Sequence, residues 1–187
     1  MSERVMVFID GSNFYHGLRE ALGHARVDFR QFCSLVCGSN RRLVHVHYYN
    51  VPLRQADNPA QYAGQQRFLS QIRSIPYFTI HLGRLVDRER EETCPGCSKE
   101  YKVRYQTEKG VDVQISSHML TFAFDNQYDT AILVSQDGDF APVIAEVLRL
   151  NRRAENAEFP HRLPSYLAKQ CTSVIRLDAA FLQPCVF

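Results

Sequence analysis

The sequence predicts an α/β fold: a mainly parallel central sheet, of order about 3-2-1-4-5, with helices on both faces and a small cysteine-containing insertion. Two observations lead there. Short apolar runs alternate along the chain with stretches of helical period, the pattern of βαβ units. The first run, Val5–Ile9, is apolar without alternation, which suits a strand covered on both faces in a parallel sheet.

The elements follow in chain order. After Val5–Ile9, Phe14–Leu22 reads as a helix entered through Ser12 and Asn13, both capping residue types. Asp28–Val36 reads as a short helix capped by Asp28. Leu43–Val51 alternates and is rich in β-branched and aromatic residues, so it is a second strand. Pro59–Ile72 has proline in its first turn and apolar positions at 62, 68, 69 and 72, a helical pattern. Tyr77–Leu82 is the third strand, Val111–Phe124 a long helix, and Ala131–Ser135 the fourth strand. Phe140–Leu150 follows Asp139 as a helix that tolerates Pro142 in its first turn, and Ser173–Leu177 is the last strand. Residues 84–107 break this rhythm with a dense mix of both charges around Cys94-Pro-Gly-Cys97, and read as an inserted hairpin or knuckle. With no internal repeat or linker, residues 1–187 read as one domain.

Composition narrows the class. Hydrophobic residues make up 45% and charged residues 22%, enough apolar side chain for a sizeable core and too much for a disordered chain. A net charge of +2 excludes a polycationic arm, so any nucleic-acid contact must come from a local patch. No apolar stretch approaches the roughly 18 residues of a membrane span, and no signal-peptide pattern opens the chain. Six cysteines without a secretory signal are expected to be reduced thiols in a cytoplasmic protein.

The chemistry-bearing residues lie where strands end. In an open α/β sheet, ligands bind outside the carboxyl ends of the strands, where strand order reverses. The first strand ends in Asp10 with Ser12 and Asn13; the fourth ends in Ser135, Asp137 and Asp139. Glu108 and Asp112 add a third acidic pair, sharing one face if the turn joining them is helical. Carboxylates gathered without a cation partner repel one another, and a bound Mg2+ or Mn2+ is the usual resolution. Such an ion polarises a phosphoryl oxygen and generates hydroxide, so phosphodiester chemistry is the natural deduction. Each acid also has a structural reading. Asp10-Gly11 and Asp137-Gly138 are turn signals, Asp139 stands where a helix cap would, Asn13 can cap the first helix, and Glu108 and Asp112 suit a helix dipole.

The stretches VFIDGSNFYHG, EKGVDVQISSHML and TAILVSQDGDFAPVI, in this order, resemble the three signature segments of NYN domains, a PIN-like group that includes LabA-like proteins. The resemblance runs from about residue 4 to 177 and implies a Rossmann-like PIN fold with a metal-dependent ribonuclease site. It implies that Asp10, Asp112, Asp137 and Asp139 are the acidic catalytic and metal-binding positions, with Asn13 and Ser135 as polar companions. Glu108 falls where some relatives carry a further acid. Two departures stand out: Gln136 replaces the glycine of a Ser-Gly-Asp-Gly-Asp segment, and Ser117-His118 stands where a further acid is common. The resemblance implies RNA, expected as a single strand, cut by hydrolysis. Two other readings use the same acids differently: a regulatory module that binds RNA or protein, and a metal-dependent phosphatase. Ser12 breaks the Asp-x-Asp pair of haloacid-dehalogenase-like phosphatases.

The remaining candidates are peripheral. Cys94 and Cys97 supply two of four zinc ligands; Cys33 and Cys37 or a partner chain in a homodimer could complete a Zn2+ site, or the pair is an inert turn. Cys33, Cys37 and Cys171 suit buried packing. Arg84, Arg88, Arg90, Lys99, Lys102, Arg104 and Lys109 are the cations available for phosphate, with Tyr101 and Tyr105 interleaved for stacking. The acids among them make a self-neutralising face the alternative. Tyr15 either stacks on a base or, the favoured reading, packs in the core. His45, His47 and His81 read as structural, and His118 as a core or surface residue. No P-loop, GxGxxG or Ser-His-Asp order is present, so nucleophilic hydrolase and dinucleotide readings find no support.

Overall fold

The computed structural model describes residues 2–160 and 165–186. Six parallel strands form the sheet, from one edge to the other Phe78–Leu82, Arg41–Asn50, Glu3–Asp10, Thr130–Val134, Arg153–Glu158 and Ser173–Arg176. These are β1 (Glu3–Asp10), β2 (Arg41–Asn50), β3 (Phe78–Leu82), β6 (Thr130–Val134), β7 (Arg153–Glu158) and β8 (Ser173–Arg176). The helices are α1 (Gly11–Leu22), α2 (Phe29–Cys37), α3 (Pro59–Arg73), α4 (Val111–Phe124), α5 (Ala141–Arg149) and α6 (Ala179–Leu182). A separate antiparallel ribbon pairs β4 (Arg84–Thr93) with β5 (Glu100–Lys109).

β1 is the central divider, and its residues explain why. Val5, Val7 and Ile9 face one core with α1, α2 and α3, while Met6 and Phe8 face the other with α4 and α5. A strand buried on both faces needs apolar residues at every position, which is why it does not alternate. From β1 the chain builds outward to β2 and β3, then returns to start β6 on the other side. The switch point therefore lies between β1 and β6, where Ile9 pairs with Val134.

Three local expectations are corrected. α1 begins at Gly11 and is capped by Asp10, whose Oδ1 accepts the Asn13 N–H at 3.1 Å, so neither Ser12 nor Asn13 is the cap. β7 (RAENAE), between the fourth and fifth expected strands, had no apolar signal to announce it. Two of its buried polar side chains have partners: Arg41 Nη1 bonds Glu155 Oε1 at 2.8 Å, and Asn156 Nδ2 donates to Leu133 O and Ser135 O. Glu108 is the next-to-last residue of β5 rather than part of a helix, because Gly110, at φ +90°, turns the backbone before α4 starts.

Candidate active site

Four of the acids singled out in the sequence, Asp10, Glu108, Asp112 and Asp137, come from three segments to line one cleft of about 390 Å³ at the switch point. Asp10 arrives at the end of β1. It is 7% exposed, and its second oxygen accepts from Ser135 Oγ at 3.2 Å across the β1–β6 junction. Ser135 Oγ in turn accepts the Asp137 N–H at 3.2 Å, and Asp137 Oδ1 accepts the Asp139 N–H at 2.9 Å. This relay fixes the loop after β6. Asn156 holds the Ser135 carbonyl from β7, and Gln136 Nε2 donates to Phe159 O at 2.8 Å, so both neighbours of the loop are anchored.

Gly11 and Gly17 allow α1 to approach this closely. A Cβ on Gly11 would collide with the Tyr48 hydroxyl and the Tyr49 carbonyl, and one on Gly17 would enter the Phe159 ring. Asp10-Gly11 is thus a close approach of backbone to strand, not a turn.

The acids of the cleft perturb one another. Burial pushes the Asp10 carboxyl above its usual range, and the charges of Asp112 and Asp137 add to the shift. Asp112 is raised by burial and by Asp137 and Asp139; Glu108 is raised by burial and by Asp10 and Asp112. Among the described residues none of these acids is in an ion pair. An all-oxygen donor set of this kind fits a hard divalent cation. Among the described residues no three His, Cys, Asp or Glu side chains are close enough to hold an ion by themselves. Any ion held by these acids would have to keep part of its water, as Mg2+ does.

The other sequence candidates separate. Asn13 and Lys109 line the cleft; Asp139 is exposed outside it and acts on Asp112 through its charge. Arg84 pairs with Lys109 at the ribbon base. Lys102 and Arg104 both bind Glu89, at 2.9 and 3.2 Å, on the outer ribbon. Tyr15 is 46% exposed, so it is not in the core, and it lies outside the cleft lining, with Arg19 donating to its hydroxyl at 3.4 Å. Cys33 and Cys37 lie on the buried face of α2, within the core.

Sequence reasoning missed three residues here. His16 and Glu20 also line the cleft. With Asn13 they follow the 3- and 4-residue steps of one helical face, a spacing legible once Asp10 is fixed as the cap. Tyr166, 64% exposed, lies over Gly138 in the acidic loop, while its neighbours Leu167 and Ala168 are buried. No motif flags it.

Sheet order, switch-point cleft and carboxylate lining together define a PIN-like, Rossmann-type α/β domain. The NYN domain family matches residues 4–178, and the chain belongs to that family, part of the PIN-like nuclease superfamily. The fold is shared with the crystal structure of a protein of unknown function from Vibrio parahaemolyticus RIMD 2210633. The two are 24% identical with a TM-score of 0.67, over 97% of this chain and 96% of that one. No curated protein gives a significant match. Among the described residues no helix is long and apolar enough to cross a membrane.

Proposed function

We propose that this protein is a metal-dependent endoribonuclease that hydrolyses single-stranded RNA at the cleft. The single observation that supports it most is the meeting of Asp10, Asp112 and Asp137, from three distant segments, around one solvent-open cleft with Glu108. These carboxylates are the groups that would hold Mg2+ or Mn2+. When bound, such an ion polarises the phosphoryl oxygen and lowers the pKa of an attacking water.

The chain's own residues supply the rest. Ser135 and the Asn13 amide fix the two oxygens of Asp10, so that carboxylate cannot rotate away from the cleft. Lys109 offers a cation to a non-bridging phosphate oxygen at the cleft wall. Glu108, its pKa raised by burial and by Asp10, is suited to take up a proton released during attack. Water is the nucleophile and no covalent intermediate forms.

The test is cleavage of labelled single-stranded RNA in Mn2+ and in EDTA, with Asp10→Asn as the control. The several kcal/mol an ion supplies correspond to about 10²–10³ in rate, so Asp10→Asn should lose at least about that much. Unchanged cleavage by the variant defeats the proposal. A second reading, an RNA-binding module that does not cut, is favoured by the absence among the described residues of three acids within direct ligating reach. RNA binding in EDTA without turnover in Mn2+ would select it.

A further inference from the structure

The tip of the β4–β5 ribbon carries chemistry that the cleft does not use. Cys94 and Cys97 sit in the turn between the strands, Cys94 half-buried and Cys97 exposed. The turn is closed by two backbone bonds, Cys94 N–H to Lys99 O and Ser98 N–H to Cys94 O, both 2.9 Å. Ser98 adopts φ +55°, an uncommon conformation for a residue with a side chain. The result holds both cysteines in one tight turn at the ribbon tip, at the C-x-x-C spacing of a zinc knuckle. An exposed turn that only joined two strands would need neither sulfur, whereas paired thiols at this spacing are the donors a structural zinc takes.

We propose that each ribbon tip is half of a structural Zn2+ site, completed by Cys94 and Cys97 of a second copy of this chain.

Ligand arithmetic requires the second half. Structural zinc takes four ligands in a tetrahedron, and thiolates are its preferred donors. Among the described residues no third His, Cys, Asp or Glu joins the pair. Cys33, Cys37 and Cys185 are buried in the core, and Cys171 packs against the opposite one, so no other thiol of the same chain reaches the tip. Two identical two-thiol tips related by a two-fold axis supply the four ligands, and such a contact closes on itself.

The ribbon makes the approach feasible. Ten residues per strand extend it roughly 30 Å from its base. Among the described residues only the basal part is tied to the body, by Arg54 to Asp87 at 2.7 Å and Gln106 to Asp57 at 2.9 Å. Beyond these, among the described residues, Glu89, Arg90, Glu92, Tyr101, Lys102 and Arg104 bond only within the ribbon. The outer ribbon bears both charge signs, so two copies are not repelled. Binding converts four thiols to thiolates and releases four protons to solvent; Lys99 in each copy lies beside the resulting anionic centre in sequence.

The test uses the full chain, reduced with a phosphine, titrated with Zn2+ and separately with Co2+, while mass is followed by light scattering. The expected result is a doubling of mass at one zinc per two chains, about four protons released per zinc, and a tetrahedral cobalt–thiolate absorption spectrum. Cys94→Ser and Cys97→Ser should each abolish all three while leaving the thermal unfolding of the body unchanged. No thiolate-bound metal, one metal per monomer, or a dimer that persists in both variants would overturn the proposal. None of these readouts depends on RNA cleavage, so this inference and the proposed function stand or fall separately.

Discussion

Asp10 caps α1, takes a hydrogen bond from Ser135 and faces Asp112 and Asp137, all while 7% exposed. Its pKa is raised in the fold, so between the raised value and the ordinary 3.8 the folded state holds more protons than the unfolded one. Stability from this group therefore rises as pH falls through that window, and at neutral pH the ionised carboxylate is a penalty. Asp10→Asn keeps an oxygen for the cap and removes the charge. Its melting temperature at pH 7 should equal or exceed the parent's, while cleavage is lost; a lower melting temperature would contradict this reading. Gly17→Ala should have the opposite profile. Its methyl group enters the Phe159 ring, and overpacking of this kind costs about 1–3 kcal/mol, measurable by urea unfolding. Lys109→Ala should weaken RNA binding evenly across sequences and reduce the salt slope by about 1, read from Kd at several salt concentrations.

At the scale of elements, four histidines form a cluster between β2, β3 and α4. His47 Nδ1 lies 2.9 Å from His81 Nε2, the His45 and His47 rings are 4.6 Å apart, and His81 and His118 are 4.5 Å apart. Phe8 and Phe122 stack on His47, and Tyr49 OH bonds His118 Nδ1 at 2.9 Å. Burial, and then the neighbouring imidazoles, lowers His47 to about 3 and His81 to about 4. A histidine depressed in the fold contributes stability that is complete above its unfolded value of 6.5 and is lost as pH falls below it. At pH 4.5 His47 alone should cost about 3 kcal/mol, and His47→Gln should flatten the slope of stability between pH 6.5 and 4.5. Denaturant melts across that range would reveal a flat parent profile, were this wrong. Asp129, held down to about 2 by Arg4, acts in a lower window: its stabilisation is present above 3.8 and lost as pH falls through about 2.

For the molecule as a whole, the parts are joined by a few tight clamps. Arg41 donates to the Cys37 and Val36 carbonyls at the end of α2 and pairs with Glu155 on β7, which is 5% exposed. Arg41→Ala would strand that buried carboxylate and should cost about 3 kcal/mol, measured by chemical denaturation. Among the described residues the outer ribbon carries no such clamp to the body. Replacing residues 88–105 by a two-residue turn should leave the melting temperature within a few degrees, and a large drop would show that the ribbon supports the sheet.

The sequence by itself determined the doubly covered β1, the order of the strands it could see, the ribbon's place and the acids at the strand ends. These follow from local pattern, because apolar runs and turn residues write period and polarity directly into the chain. It did not determine β7, whose polar residues become a strand only because Arg41 and the β6 carbonyls await them. Nor did it determine that Asp10, not Ser12, caps α1. The tertiary structure alone decided that His16 and Glu20 join the acids, that Lys102 and Arg104 pair with Glu89, and that four histidines from three elements meet. Each depends on contacts between residues far apart in sequence or on the phase of a helix against a neighbour. Local pattern carries no information about such distances, and close packing sets them.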